Sequence, residues 1–198
     1  MSSQPDRHDV LQDFFRWENQ SRVEVMADLA TDEKTYFMPL ETLKSYFRAN
    51  GGKRLDKILA ELFYPDIPIK PEVILRTHTA VFCILLLISK GRYIEYFSCY
   101  EELSDQRLPF DPAHPPACFP VATDDSKFLQ RFCETQWRYC VPIFDNHMVH
   151  KRFGPQRLLP ITHKERLGVR GSAILYKIKI YEPHTKLLPE GSRIVRSR

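Results

Sequence analysis

Apolar residues recur at helical spacing in several separate stretches of the first two thirds of the chain. In residues 6–20, Val10, Leu11, Phe14 and Phe15 fall on one side of a helix, and charged residues lie between them. This spacing predicts an amphipathic helix with one apolar face.

Two shorter apolar stripes follow Pro39 and are separated by a turn signal. The first runs from Leu40 to Phe47 and stops at Asn50-Gly51-Gly52, residue types that readily take the left-handed conformation that ends helices. The second runs from Leu55 to Leu62. Together they predict a hairpin of helix-turn-helix shape. We favour packing over DNA reading because residues 53–61 offer three basic side chains against two acidic ones.

The middle of the chain combines a central helix, an extended loop and a further helix. Glu72 to Ser89 is predicted as one helix, and its second half is apolar on all sides, so it should be central. Five prolines between Pro109 and Pro120 predict a loop without regular structure. Residues 123–126 supply possible N-caps for a helix that carries Phe128 to Trp137.

The period of the pattern changes after Pro160. Residues 174–181 alternate between two faces, which is the spacing of a strand, and their β-branched content supports this interpretation. Ile161 to Leu167 is predicted as the antiparallel partner of this strand, and Gly168 to Ser172 are predicted to connect the two. Around Lys186, the residues from Pro183 onward give no pattern of a third strand.

These elements predict an α+β chain, with a mainly helical domain followed by a C-terminal antiparallel β-hairpin. We expect four segments along the chain. They are an N-terminal helix and linker in residues 1–35, a helical domain in residues 36–145, the hairpin segment in residues 146–182 and a basic flexible tail in residues 183–198.

Composition and charge narrow the function classes. The 198 residues are 43% hydrophobic, which is enough for a folded core. Lys and Arg outnumber Asp and Glu by 12 to 4 in residues 141–198, whereas residues 1–140 hold 17 against 21. This asymmetry suggests an anionic-surface binder as a weaker idea, but no stretch interleaves aromatic residues with Arg, so nucleic-acid binding is not favoured.

The location expected for the chain is intracellular, either cytoplasmic or nuclear. The first ten residues have neither a basic start nor an apolar stretch behind it, so no secretory signal is predicted. The apolar run from Ala80 to Ile88 has nine residues, too few to span a membrane. A protein partner is expected, and the oligomeric state stays open.

Cysteines and histidines give little indication of a metal site. The five cysteines form no C-x-x-C pair, so we interpret them as reduced thiols, with Cys83 and Cys133 acting as small buried hydrophobes. His147 and His150 have the one-turn spacing of two metal ligands, with Asp145 nearby. No third His or Cys lies close in sequence, so no metal or metal ligand is predicted.

One segment of the chain carries a resemblance to a known family. Leu167-Gly168-Val169-Arg170-Gly171-Ser172-Ala173-Ile174-Leu175-Tyr176-Lys177 resembles the strand, glycine-rich loop and strand that open a protein-kinase domain. Gln136-Trp137, Val141-Pro142-Ile143-Phe144 and Tyr181-Glu182-Pro183-His184 extend the match to residues 37–185. Residues 37–185 are thus similar to the N-terminal region of fungal proteins that contain a protein-kinase domain.

The resemblance implies a vestigial nucleotide site at the loop. In the family pattern G-x-G-x-x-G-x-V, Gly168 stands at the first glycine, Arg170 at the second, Ala173 at the third and Leu175 at the valine, with Gly171 also in the turn. Glycine suits such a loop because main-chain N–H groups must approach phosphate oxygens closely. An ordinary glycine-bearing hairpin turn is the alternative interpretation.

The sequence lacks the remaining residues that phosphotransfer requires. Neither H-R-D nor D-F-G occurs, and no Lys is predicted on a third strand, so no catalytic residue is assigned. We therefore expect the N-terminal regulatory or interaction region of a fungal kinase-like protein, ending before the catalytic machinery and inactive alone. ATP and magnesium would enter only if a complete kinase domain follows. A stand-alone helical interaction module with a structural hairpin is the alternative.

Overall fold

The computed structural model describes residues 9–120, 125–146, 148, 153–154, 156–170, 173–187 and 195–196, with the main chain alone at residues 9, 170, 173, 195 and 196. Two compact units form. The helical unit contains the described residues up to Arg22 together with Met38–Tyr139. The strand unit contains Val23–Phe37 and the described residues from Cys140 onward. The fold is α+β and mainly helical, as predicted.

The first three helices form where the apolar stripes predict them. Helix α1 spans Asp9–Gln20, α2 spans Leu40–Arg48 and α3 spans Lys53–Phe63. Between α2 and α3, Asn50, Gly51 and Gly52 have φ values of 56°, 69° and 87°. These positive φ values are the left-handed conformation that the turn signal indicated, so the helical hairpin is confirmed.

The helix predicted from Glu72 to Ser89 is two helices, so that prediction is wrong at its centre. Helix α4 spans Pro71–Thr77 and α5 spans Thr79–Leu87, with His78 between them at φ −136° and ψ 25°. A remote carboxylate explains the interruption: Asp105 accepts hydrogen bonds from the N–H groups of Ala80 at 3.2 Å and Val81 at 2.9 Å. This carboxylate caps α5, which lets the chain begin a new helix after His78.

Helix α5 occupies the centre of the helical unit, as its pattern predicted. Thr79 and every residue from Ala80 to Leu86 are buried. Helix α6 spans Ile94–Phe97, and α7 spans Phe128–Gln136. Residues 108–120 between them contain no regular element, which confirms the predicted loop. Among the candidate caps of α7, Thr123 and Asp124 lie outside the described residues, and Asp125 accepts a hydrogen bond from the N–H of Lys127.

The strand unit contains a hairpin in the region taken as a linker. Strands β1 (Val23–Met26) and β2 (Lys34–Phe37) pair antiparallel, with Val23 opposite Phe37. Each strand has four residues, the shortest length over which alternation indicates a strand, so the pattern along the sequence gave little sign of them.

The C-terminal hairpin forms as predicted, but its first strand is three residues longer than predicted. Strands β3 (Ile161–Arg170) and β4 (Ala173–Ile180) pair antiparallel, and the register shifts between Arg166 and Gly168. Gly168 lies opposite Leu175 within the ladder, so its predicted place in the connection is wrong. A bulge can hold a glycine inside a strand, and this overrides its tendency to end one.

A third strand joins this sheet, although none was predicted around or after Lys186. Strand β5 (Val195–Arg196) pairs antiparallel with β4, with Leu175 opposite Arg196 and Tyr176 opposite Val195. The sheet order is therefore β3-β4-β5. Two residues of pairing are too few to leave a periodic signal in the sequence. Among the described residues, no helix is long and apolar enough to cross a bilayer.

Candidate functional site

Four of the five predicted nucleotide residues lie near the connected ends of β3 and β4. Gly168 is opposite Leu175, and Arg170 is opposite Ala173, in consecutive parts of the ladder. Gly171 lies outside the described residues, as do the side chains of Arg170 and Ala173. The structure thus brings four of the five predicted positions together in the main chain of one hairpin.

Gly168 has an open side, which is the feature of the hairpin that fits a close ligand. A Cβ atom built at Gly168 would meet no atom within 4 Å. Glycine is not required there by conformation, because the described glycines with positive φ are Gly51 and Gly52. Its neighbours Leu167 and Val169 expose 48% and 58% of their surface, so the tip also presents apolar side chains to solvent.

Lys164 anchors β3 to the loop between β1 and β2. Its ammonium donates hydrogen bonds to the carbonyl oxygens of Leu29, at 2.8 Å, and Thr31, and it lies 3.3 Å from a carboxylate oxygen of Asp32. The Lys164 side chain is 9% exposed, and its ammonium lies 5.7 Å from the centre of the Tyr176 ring. A lysine this buried needs such partners, so the position is structural and its cation is already engaged.

An aromatic cluster forms where β4 ends, away from the connection between β3 and β4. Phe37 packs edge-on against Tyr181 and His184, with ring centres 5.7 Å and 4.9 Å apart. The His184 Nδ1 atom is buried without a hydrogen-bond partner, and burial lowers the pKa of this histidine. The main chain of Phe144 pairs here as well, because its N–H donates to the carbonyl of His184 at 2.8 Å.

The helical unit has an apolar groove beside α1. Its cavity volume is about 380 Å³, and its walls come from α1, α3 and the chain that follows α5. Gly91 lies at its floor, where a Cβ would lie 2.9 Å from Leu86 Cδ2 and 3.1 Å from Leu62 Cδ1, so a larger residue would require these leucine side chains to shift. The lining residues are Leu11, Phe15, Leu62, Leu86, Ser89, Lys90, Gly91, Arg92 and Tyr93.

A second depression adjoins this groove and is bordered by tyrosines. Its volume is about 420 Å³, and Arg92 and Tyr93 line both depressions. Its other lining residues are Glu95, Tyr96 and Cys99. Arg and Tyr are residue types enriched in protein interfaces.

Two polar side chains of the helical unit, the buried Gln136 and the half-buried Asp105, bind main-chain groups of other segments. Gln136 is fully buried, and its amide accepts from the N–H of Phe110 at 2.7 Å and donates to the carbonyl of the same residue at 2.9 Å. Burial raises the pKa of Asp105 to about 6, while its hydrogen bonds to the start of α5 act in the opposite direction. Both side chains therefore connect segments far apart in sequence.

The cysteines and the candidate metal ligands provide no assembled chemistry among the described residues. Cys83 and Cys133 are buried, as predicted, and burial raises the pKa of both thiols, to about 11 for Cys133. Such thiols are poor nucleophiles at neutral pH. His147 and His150 lie outside the described residues. Within the described part of the chain, no three His, Cys, Asp or Glu residues cluster closely enough to hold a metal ion.

Comparison with known proteins gives no relative: no family model matches the sequence, and neither the curated proteins nor the solved structures contain a significant match. The relation to kinase-domain proteins accordingly stays a prediction.

Sequence reasoning predicted the β3–β4 hairpin. It missed the Lys164 anchor and the aromatic cluster of the strand unit, and it missed the two depressions of the helical unit. Lys164 resembles any other charged residue of an alternating strand, and its partners lie more than 130 positions away.

Proposed function

We propose that this chain is the N-terminal regulatory or interaction region of a kinase-like protein of the fungal type it resembles, and that it transfers no phosphate by itself. The order β3-β4-β5 carries this proposal. A kinase domain opens with strands of this kind, in which the glycine-rich loop joins the first two and the third bears the phosphate-pairing lysine. The hairpin tip with Gly168 and the added strand β5 are in the corresponding order.

The absence of phosphotransfer follows from the residues that the chemistry needs. The chain contains neither H-R-D nor D-F-G, so it offers neither the catalytic base nor the metal-binding aspartate of that sequence pattern. The phosphate-binding glycines are also replaced in part, with Arg170 and Ala173 at the second and third positions. Lys164 cannot substitute for a phosphate-pairing lysine because its ammonium is bound to the β1–β2 loop.

Thermal unfolding with Mg-ATP tests the proposal. We expect about 1 mM Mg-ATP to change the melting temperature by less than about 1 °C, because a ligand stabilises only what it binds in the folded state. A rise of several degrees that disappears in Gly168→Val would overturn the proposal. Gly154→Val is the matched control, since Gly154 also has open space around its Cβ position.

A stand-alone interaction module is the second candidate, favoured by the apolar groove beside α1. Phe15 and Leu62 are half-buried there, so the groove offers apolar surface that a partner could cover. Full-length variants separate the two candidates when partners are captured from cell extract. If Phe15→Asp abolishes capture of the partners and Leu167→Asp does not, the interaction module is favoured. If Leu167→Asp abolishes capture, a role for the strand unit is favoured.

A further inference from the structure

Four basic side chains surround the turn between α2 and α3. Arg48 ends α2, and Lys53 and Arg54 begin α3. Lys57 lies one turn further along α3, and all four side chains are exposed. At 3.6 residues per helical turn, the three cations of α3 fall within an arc of about 100° of its surface. We call these four residues the basic turn.

The cations of the basic turn differ from their neighbours in having no acidic partner. Lys44 on α2 pairs with Glu41 at 2.8 Å, and Arg16 on α1 pairs with Asp13 at 3.1 Å. Within the described part of the chain, no carboxylate oxygen lies within ion-pair distance of the basic turn. Its charges are therefore available to a ligand from outside the chain.

Two acidic side chains lie near the basic turn without cancelling its charge. Asp56 is exposed on α3, about 60° around the helix from Lys53 and outside the arc of the three cations. Glu61 is half-buried one turn beyond Lys57. Counting both carboxylates, this surface keeps a formal charge of +2, so it attracts an anionic segment.

An aromatic stack holds Arg54 in place. The Tyr46 ring stacks on Trp17 with ring centres 3.9 Å apart, and Arg54 Cζ lies 4.5 Å from the centre of the Tyr46 ring. A guanidinium that stacks on a ring keeps the N–H groups at its edge free for hydrogen bonds. Arg54 thus offers paired donors at a fixed place, and such a pair matches the two oxygens of a carboxylate.

The main chain between the two helices leaves room for a partner chain. Gly51 and Gly52 have φ values of 69° and 87°, which side chains other than glycine rarely adopt. A Cβ built at either glycine would meet no atom within 4 Å. An extended segment can therefore approach the turn closely between Arg48 and Lys53.

The aromatic rings beside the basic turn favour an acidic peptide over a nucleic acid. Tyr46 is 8% exposed, with Trp17 and Arg54 against its ring, so it offers no free face to a base. Proteins that bind single strands gain much of their affinity from bases stacked on exposed aromatic rings. A carboxylate requires only the charges and the N–H donors that the basic turn supplies.

From these observations we propose that the basic turn docks an acidic segment of a partner protein, a run of Asp and Glu residues. Arg54 binds one carboxylate through two N–H groups, and Arg48, Lys53 and Lys57 bind the carboxylates next to it. This assignment names the partner class for the interaction role of the chain and rests on that role.

A peptide titration followed by NMR tests the site on the full chain. The probe is an acetylated peptide of eight glutamates, and the control peptide has eight glutamines. We expect the glutamate peptide to shift amide signals of residues 46–58 and the control peptide to shift none. Shifts confined to the basic residues of the strand unit, or equal binding of the two peptides, overturn the proposal.

Charge-reversal variants separate the basic turn from the net charge of the chain. Lys53→Glu combined with Lys57→Glu should weaken binding of the glutamate peptide at least about tenfold, because like charges then face each other. Lys70→Glu combined with Arg76→Glu is the matched control, since both residues are exposed in the same unit and the net charge changes equally. The control should change the affinity by no more than about twofold. Equal losses in the two double variants overturn the proposal.

Arg54→Lys tests the paired donors, because it keeps the charge and removes the planar guanidinium. Binding of the glutamate peptide should weaken about fivefold. Arg48→Lys is the matched control for a guanidinium outside the aromatic stack, and it should change the affinity by no more than about twofold. Equal effects of the two substitutions contradict the role assigned to Arg54.

Octathymidylate distinguishes a nucleic acid from an acidic peptide. It should bind more weakly than the glutamate peptide at the same salt concentration. Tighter binding that Lys53→Glu with Lys57→Glu abolishes would overturn the choice of a peptide. These outcomes are independent of the nucleotide test: a Gly168-dependent effect of Mg-ATP overturns the proposed function, whereas failure of the glutamate peptide overturns only the docking site.

Discussion

In the helical unit, α5 is buried on every side, and phenylalanines pack ring against ring around α7. In the strand unit, β3 has ten residues and β4 has eight, and apart from Ile161 their described side chains are half-buried or exposed. The buried apolar side chains of the strand unit include Val25, Phe37 and Ile161. The comparison teaches that side-chain packing specifies the first unit, whereas main-chain pairing and a few anchors specify the second.

The largest change in the free energy of unfolding is expected from a cavity among the stacked phenylalanine rings around α7. Phe132 is fully buried and stacks on Phe110 at 5.3 Å and Phe97 at 5.7 Å. Phe132→Ala should lower the free energy of unfolding by about 3–5 kcal/mol, measured by denaturant titration with circular dichroism.

Ile67→Ala is the control for this substitution, since Ile67 is 43% exposed in the same unit. It should change the free energy of unfolding by no more than about 0.5 kcal/mol. Similar losses in the two variants would contradict the packing account of the helical unit.

A somewhat smaller effect is expected at the buried glutamine. Gln136→Leu keeps roughly the side chain's volume but leaves the Phe110 N–H without its Gln136 acceptor, and it leaves the Phe110 carbonyl with the Cys133 thiol alone. The free energy of unfolding should fall by about 2–3 kcal/mol. Gln106→Leu, at an exposed position, should be close to neutral, and a neutral Gln136→Leu would show that the loop does not depend on this amide.

In the strand unit, the strongest single effect should come from the lysine anchor. Lys164→Met removes the donor to the carbonyls of Leu29 and Thr31 and should cost about 1–2 kcal/mol. Hydrogen exchange should accelerate in residues 27–33 and β3, with protection of α5 unchanged. Lys177→Met, at a 56% exposed side chain, is the matched control, and equal exchange in the two variants would refute the anchor.

The smallest effect is a pH dependence of the strand unit through His184. Burial lowers the pKa of His184 below its ordinary value of 6.5, so between the two values the unfolded chain binds a proton that the folded chain does not. Its contribution to stability is therefore complete above pH 6.5 and decreases as the pH falls. Relative to His184→Phe, which keeps the ring, the wild-type chain should lose stability between pH 7 and pH 5. A constant difference would contradict this.

The sequence predicts those parts of the fold whose causes are local. The apolar stripes and the residues Asn50, Gly51 and Gly52 act within a few positions, and the helices they predict are present. The break between α4 and α5 at His78 depends on Asp105, whose carboxylate binds the N–H groups of Ala80 and Val81. Asp105 lies 25 and 24 positions from these residues, so no local sequence pattern predicts the break.

In the candidate sites, too, the sequence predicts features with local causes and misses those that depend on distant residues. The β3–β4 hairpin was predictable because alternation is local, whereas the ladder position of Gly168 depends on a register shift. Lys164 could not be assigned from its strand, because the carbonyls it binds belong to another hairpin.

Phosphate transfer is the most direct test of the central claim that this chain is an interaction region without kinase chemistry. The full chain is incubated with Mg-ATP carrying radioactive γ-phosphate and a mixture of Ser, Thr and Tyr peptides, beside Gly168→Val and Gly154→Val. We predict no label above the level without protein in any of the three. Label that the unmodified chain transfers, that Gly154→Val retains and that Gly168→Val loses would contradict the account.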